Sequence, residues 1–383
     1  MKRVFFMSFI GLLVMLVGFI SCSKDDSNSD HPDYSKLNII NNGGAVNTIV
    51  EDPNNTEPLA IVQTIPSFDG MNYSPSFESK RPGVTFRSSK AYMKANDAGN
   101  TFPANIPIMF FFNNKIYLNS IENNFTVTVG GTEVKGTIVV NVTPKGNAII
   151  TFTPWTEFSA NNNVTITINK DMQSGGGIGM LEDLVLTYAT TQSQKGNFDD
   201  NKGFEKGDDG VFFAGDGAVR TGTTGSLAPY EGNKYAAISS GEALVSDNGY
   251  AIGSASSIMV LGPINTNIST LSFYYDFISA EFNDYVDSEF DDCAIVTVYG
   301  PKGAYSELVS SVNTVRFDNQ PFVGFPNMPD AGDDYAGHTN WLPFTISASK
   351  MGSIGTPAYI VFTVTDVADQ ILSSILAVDN LSY

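Results

Sequence analysis

Short apolar or alternating runs recur along the chain, each closed by Gly, Asn or Pro. IPIMFFF (106–112), FTVTV (125–129), GTIVVNV (136–142), AIITFTP (148–154) and VTITI (164–168) are rich in β-branched and aromatic residues, as strands are. FTVTV and VTITI alternate apolar residues with Thr, the period of a strand buried on one side. DDCAIVTVYG (291–300) is a further strand-like run. No stretch keeps apolar residues at i, i+3, i+4 and i+7 for long, so amphipathic helices are not expected. Many short strands between turns predict an all-β fold, with a β-sandwich over the first part.

Two kinds of segment break this pattern. Phe5 to Ile20 is apolar and uncharged, follows Lys2 and Arg3, and is 16 residues long. A membrane-spanning helix needs roughly 20. The run therefore fits the hydrophobic region of a secretory signal, with small Ser21 before the cut. SKDDSNSD, NNGG and EDPNNTEP make 22–57 read as a flexible tether, and TTQSQKGNFDDNKG marks a linker. The expected organisation is a signal peptide at 1–21, a tether at 22–57, a first sandwich at 58–192, a linker at 193–203 and a second domain at 204–383.

Composition narrows the function classes. The chain has 383 residues, 16% of them charged, and a net charge of -19 that becomes more negative once Lys2 and Arg3 leave with the signal. With no basic patch, nucleic acid and anionic membrane surfaces are poor partners. An acidic surface stays soluble and collects divalent cations. The 2 cysteines are Cys22 and Cys293, and Cys293 reads as a buried structural thiol within its strand. The 2 histidines, His31 and His338, are far apart in sequence, so no zinc cluster can be drawn. There is no GxSxG, no plausible Ser/His/Asp set, and GGGIG and GTTG lack a following helix or P-loop Lys.

Several segments resemble known families. Phe19-Ile20-Ser21-Cys22 resembles a bacterial lipoprotein signal, with Phe where Leu is commonest. The resemblance implies that the Cys22 thiol carries the lipid and becomes the mature N-terminus. Ser23-Lys24-Asp25-Asp26 is similar to the acidic export signal of Bacteroidetes-type surface lipoproteins, which implies an outer-membrane lipoprotein displayed on the cell surface. PSFDG, IPIMFFFNNKIYLNSI, FTVTVGG, FTPWTEFSANNNVTITI and LEDLVLTY, in that order, resemble the SbsA-type bacterial Ig-like domain. Phe152, Thr153 and Pro154 match its hairpin motif. Residues 75–104 depart from it as an insertion, and Val164 stands where the family has Tyr. GFEKGDDG, PYEGNKYAAISSG, LSFYYDFISAEFNDYVDSEFDD and VTDVADQILSSILAVDNLSY resemble the choice-of-anchor jelly roll, related in form to galactose-binding-like carbohydrate modules. Val211-Phe212 replaces its usual Trp, and Ser373 an expected Asp. The fold expected is an Ig-like β-sandwich followed by a β jelly roll.

Candidate chemistry is sparse. Glu281, Asp284, Asp287, Glu289, Asp291 and Asp292 lie close together in sequence. Loop carboxylates at such spacing can supply the six to eight oxygens that Ca²⁺ takes. The same pattern also suits a solvated or structural loop, and a catalytic pair would need a fixed separation that sequence does not show. The carbohydrate-module resemblance implies a second Ca²⁺ site at Glu205 of GFE and Asp379 of VDN. Trp155 reads as a loop residue, Trp341 as core or rim, and Tyr274, Tyr275 and Tyr285 as core or cross-strand pairs, without a clear aromatic platform. The function expected is a non-enzymatic surface lipoprotein for adhesion or for glycan or protein binding, an Ig-like stalk presenting a jelly roll. A structural envelope protein without a small ligand and an extracellular polysaccharide hydrolase are the alternatives.

Overall fold

Each of the five runs from 106 to 168 becomes a strand: Ile108–Phe112, Phe125–Val129, Gly136–Val142, Ala148–Pro154 and Asn163–Ile168. The computed structural model describes residues 36–383 except 52–56, 67–100, 144–145, 194–195, 242, 245–255, 283–284, 289, 316–319, 323, 326–335 and 368–371. The signal run, Cys22 and most of the 75–104 insertion therefore lie outside the described residues. The fold is all-β, with only short helices such as Leu118–Asn124. Among the described residues no helix is long and apolar enough to cross a membrane.

The first half is a sandwich of two five-stranded sheets. One runs in the order Asn38–Asn42, Gly136–Val142, Ala148–Pro154, Ile108–Phe112, Ile61–Ile65. The other runs Thr101–Pro103, Leu184–Thr191, Asn163–Ile168, Phe125–Val129, Thr132–Glu133. Phe125 joins the two sheets, edge-on to Phe110 with ring centroids 5.7 Å apart and tilted against Phe152 at 5.8 Å. Two of the expected boundaries need correcting. Asn38–Asn42, inside the expected tether, pairs in parallel with Gly136–Val142, because NIINN carries enough β-branched surface to close a sheet edge. The expected linker is likewise folded at its end: Phe198 is buried in a single helical turn, Phe198–Asp200, and packs against Phe204.

The second half is also a sandwich. One sheet runs Val211–Ala214, Ser256–Ile264, Ala358–Thr365, Cys293–Gly300, Gly303–Ser311. The other runs Asp216–Thr221, Lys234–Ser239, Ser374–Ser382, Leu271–Ser279, Gly337–His338, Gln320–Pro321, with Leu342–Ile346 also paired to Leu271–Ser279. Phe273 and Phe362 meet edge-to-face between the two sheets at 5.0 Å.

Four strands of this sheet, Val211–Ala214, Ser256–Ile264, Cys293–Gly300 and Ala358–Thr365, are buried on both faces and are correspondingly rich in apolar residues, while the edge strand Gly303–Ser311 is partly exposed. Met259, Leu261, Ala294, Val296, Val298, Ile360 and Phe362 point into the second sandwich. Their neighbours Ile258, Val260, Cys293, Ile295 and Val361 belong instead to the core of the first. Phe102 of the first half packs edge-on to Phe212 of the second at 5.7 Å, and the Asn141 amide donates to the Ser306 hydroxyl at 2.9 Å. Residues 33–383 thus form one compact unit in which the two sandwiches share apolar core. Cys293 is a free, buried thiol in this shared layer, and burial holds its pKa well above the ordinary thiol value.

Candidate functional site

The GFE and VDN segments, far apart in sequence, meet on one turn. After the helical turn at 198–200 the chain wraps around the Asn201 side chain. Its amide donates to the carbonyls of Gly207 and Asp209, both at 2.8 Å, and its oxygen accepts the Lys206 N–H at 2.9 Å. Phe204, fully buried, takes a left-handed backbone with φ of 59°. This wrap aims Glu205 at residues 230–234. Glu205 Oε1 accepts the N–H groups of Asn233 at 2.7 Å and Lys234 at 2.9 Å.

Asp379 reaches the other end of the same turn. Its Oδ2 accepts the N–H groups of Tyr230 at 2.9 Å and Glu231 at 3.1 Å, and its Oδ1 accepts that of Asn380 at 2.7 Å. Asn380 Nδ2 donates to Glu231 Oε2 at 2.7 Å, closing the loop. Two carboxylates therefore hold four backbone amides of the 230–234 segment. Gly232 sits between them with φ of +68°, and a Cβ there would lie 2.3 Å from Glu205 Oε1. Burial pushes the Asp379 carboxyl up to about 6. Its backbone donors pull the other way, and the nearby Glu205 charge adds to the rise.

Asp379 lies opposite Tyr274 in the sheet. The Tyr274 ring is covered by Tyr230, with centroids 3.6 Å apart and planes at 14°. Trp341 stands edge-on to both Tyr230 and Tyr235, 6.2 Å from each, and its indole N–H donates to the Ala228 carbonyl at 2.8 Å. Tyr230 is 40% exposed. The braced turn thus holds a part-exposed Tyr230 ring stacked on Tyr274, with the Trp341 plane at 67° to it. Sequence reasoning placed Tyr274 and Trp341 in packing roles and missed Tyr230. The available signal was PYEG, an aromatic in a turn between two carboxylate-bearing segments.

The second acidic cluster lies elsewhere. It follows Ser279, five residues along the strand from Tyr274, or ~17 Å at strand rise. Glu281, Asp291 and Asp292 are buried. Asp291 Oδ1 accepts the Asn313 N–H at 2.9 Å, and Asp292 Oδ1 accepts the Val367 N–H at 2.8 Å. Asp287 has φ of 62° and donates its N–H to the Asn313 side chain. Asp284 and Glu289 lie outside the described residues. These carboxylates tie neighbouring loops together. Among the described residues no three His, Cys, Asp or Glu side chains gather into a cage for a metal ion.

His338 is paired, which sequence spacing did not reveal. Its Nδ1 lies 2.9 Å from Asp276 Oδ2, and the Thr339 hydroxyl lies 3.2 Å from Oδ1. Both residues are buried, and Phe322 stands edge-on to the imidazole at 5.3 Å. Burial raises the Asp276 carboxyl, and His338 counters the rise.

No family model matches the chain, and no curated protein matches it. Among solved structures, native alpha-2-macroglobulin from Escherichia coli spanning domains MG0-NIE-MG1 aligns at 10% identity and a TM-score of 0.20. That alignment covers 62% of this chain and 92% of that one. The native conformation of the whole E. coli alpha-2-macroglobulin aligns at 8% identity and a TM-score of 0.21, over 64% of this chain and 18% of that one.

Proposed function

We propose that the chain is a non-enzymatic surface lipoprotein, anchored to the outer membrane through Cys22, whose C-terminal jelly roll binds a glycan. The observation that carries this reading is the part-exposed Tyr230 ring on the braced turn, stacked on Tyr274 and flanked by Trp341. A sugar ring packs its C–H face on such a surface, and the turn's polar groups meet its hydroxyls. Tyr230 stacked on Tyr274 is held flat before any ligand arrives, which reduces the ordering cost of binding.

Ca²⁺ belongs to the same proposal. Glu205 and Asp379 would hold it, since each carboxylate oxygen has two lone pairs and can accept an amide while ligating a cation. When bound, the ion would offset the repulsion between these two carboxylates. The first sandwich, sharing core with the second, is a stiff base for the binding face.

The experiment uses the soluble chain beginning after Cys22. A glycan array in Ca²⁺, repeated with Tyr230→Ala, tests the surface. Binding that the substitution abolishes supports the proposal. An array with no binder turns the reading toward a structural envelope protein. A thermal melt with Ca²⁺ and with chelator tests the ion, because a ligand of the folded state raises stability by RT ln(1 + [L]/Kd). The rise should be larger at pH 7 than at pH 5, where protons compete for Asp379.

A further inference from the structure

Where strand ends of the two sandwiches meet there is a cleft of about 100 Å³ that shares no residue with the braced turn. One water needs ~10–15 Å³ and a whole drug-sized ligand about 300–1,000 Å³, so the cleft has room for one compact group. Its walls are apolar and aromatic: Pro154 and Trp155 come from the first half, and Pro301, Pro357 and Tyr359 from the second. Trp155 and Tyr359 are part-exposed, so a ligand can reach them. Trp155 is fixed at both nitrogens. Its backbone N–H donates to the Lys135 carbonyl at 3.0 Å, and its indole N–H to the Lys36 carbonyl at 3.4 Å. Tyr359 lies parallel to the buried Tyr299 ring, with centroids 5.2 Å apart and planes at 14°.

Glu157 is the charged member of the lining, and it is open to solvent as well. Partial burial raises its carboxyl, and nothing among the described residues opposes the rise. Lys135, whose carbonyl holds Trp155, turns its ammonium to Glu133 instead. Burial also raises the Tyr359 phenol, a hydrogen bond with Asn105 lowers it, and the Glu157 charge adds to the rise. The carboxylate therefore acts on a ring that walls the cleft. A carboxylate that loses water without gaining a partner attracts a cation, and the net charge of -19 adds to the attraction.

The walls decide which cation. A primary ammonium carries three donors and a guanidinium five, all of which need acceptors. Proline and aromatic faces supply none. A quaternary ammonium has no N–H to satisfy, sets its methyl groups against apolar walls and is attracted by ring faces. We propose that this cleft binds a trimethylammonium group, with Trp155 and Tyr359 as its aromatic walls and Glu157 as its counter-charge. The site is separate from the glycan face and needs both sandwiches in register, which the shared core supplies.

The chain has 2 tryptophans, so in Trp341→Phe the emission reports on Trp155 alone. The soluble chain beginning after Cys22 is titrated with tetramethylammonium chloride at pH 7, with sodium chloride holding the ionic strength constant. Choline, phosphocholine, ethanolamine and dimethylbutanol, in which carbon replaces choline's nitrogen, follow in the same way. Saturation-transfer NMR of the ligand methyl protons on the unsubstituted chain is the second readout. The expected result is a saturable change with tetramethylammonium and choline at millimolar concentration. It should be several-fold weaker with ethanolamine and dimethylbutanol, several-fold weaker in Glu157→Gln, and untouched by Tyr230→Ala. Glu157→Gln should melt at the parent's temperature or above, since it removes an unanswered carboxylate. Both outcomes with phosphocholine support the site: binding points to a headgroup as the source, and exclusion to a free ion. No saturable signal in either readout, from protein shown to melt normally, overturns the proposal. So does equal affinity for dimethylbutanol, which would make the cleft merely apolar, or binding unchanged in Glu157→Gln. A signal lost with Tyr230→Ala belongs to the jelly-roll face and likewise overturns it.

Discussion

Replacing Gly232 by Ala separates the carboxylate brace from ordinary backbone strain. Gly232 and Gly222 lie in the same hairpin, with φ of +68° and +72°. A Cβ at either pays the left-handed penalty, about 1–2 kcal/mol. At Gly222 that Cβ meets nothing within 4 Å, whereas at Gly232 it would lie 2.3 Å from Glu205 Oε1 and 2.8 Å from Cδ. The Glu205 carboxyl is the end of a flexible side chain, so it moves aside and gives up the Asn233 and Lys234 amides. Those amides are exposed and can turn to water, so each lost bond costs about 0.5–1.5 kcal/mol. Gly232→Ala should therefore be less stable than Gly222→Ala by about 1–3 kcal/mol. With roughly 350 residues in the folded unit, the unfolding entropy is about 0.7 kcal/mol per degree. The two variants should then melt about 1.5–4 °C apart by calorimetry in chelator. Equal melting temperatures would refute the brace, because they would show that Glu205 contributes nothing through these two amides.

Asp379, raised to about 6, favours the proton in the fold, so its contribution to stability is fully present below about pH 4 and is lost as pH rises through about 6. The swing is at most about 3 kcal/mol, reduced by solvent screening. Urea midpoints of the parent chain and of Asp379→Asn, compared in chelator from pH 4 to 7, should show the parent gaining on the variant as pH falls; a gap independent of pH would contradict this. Phe212→Ala removes the edge-on partner of Phe102 and should cost about 3–5 kcal/mol. Because the cores are shared, calorimetry should show one transition for the parent chain and two for this variant, and two transitions already in the parent would refute the joint. Cys293 should react with a thiol reagent only as fast as the protein unfolds, since it is buried and its thiolate is disfavoured; fast labelling under native conditions would contradict its place in the shared layer.

The strands were legible because burial sets the residue pattern. Phe125–Val129 reads apolar-Thr-apolar and is buried on one side, while Gly136–Val142 has Ile, Val and Val in succession and is covered on both, with Thr137 and Asn141 buried beside them. What continuous runs do not say is what covers the second face. GTIVVNV and CAIVTVYG carry no mark that they face each other's sandwich, so the joint was invisible. Asn38–Asn42 was missed because its polar neighbours dominate the local composition. The meeting of Glu205 with Asp379 was reached only through resemblance, since 174 residues separate them (379 − 205 = 174). Tyr230 and the Asp276–His338 pair escaped for the same reason: nothing local couples a turn aromatic to a strand 44 residues on (274 − 230 = 44), or an aspartate to a histidine 62 away.

The doubly covered sheet has a consequence for inheritance. A domain with one wet face can be moved between chains as a self-contained piece. This second sandwich cannot, because Val260, Ile295 and Val361 would meet water wherever it landed alone. Any recombination that carries it must bring the first sandwich along, or supply another apolar face of the same shape. The two halves are therefore expected to travel, and to accumulate substitutions, as a pair.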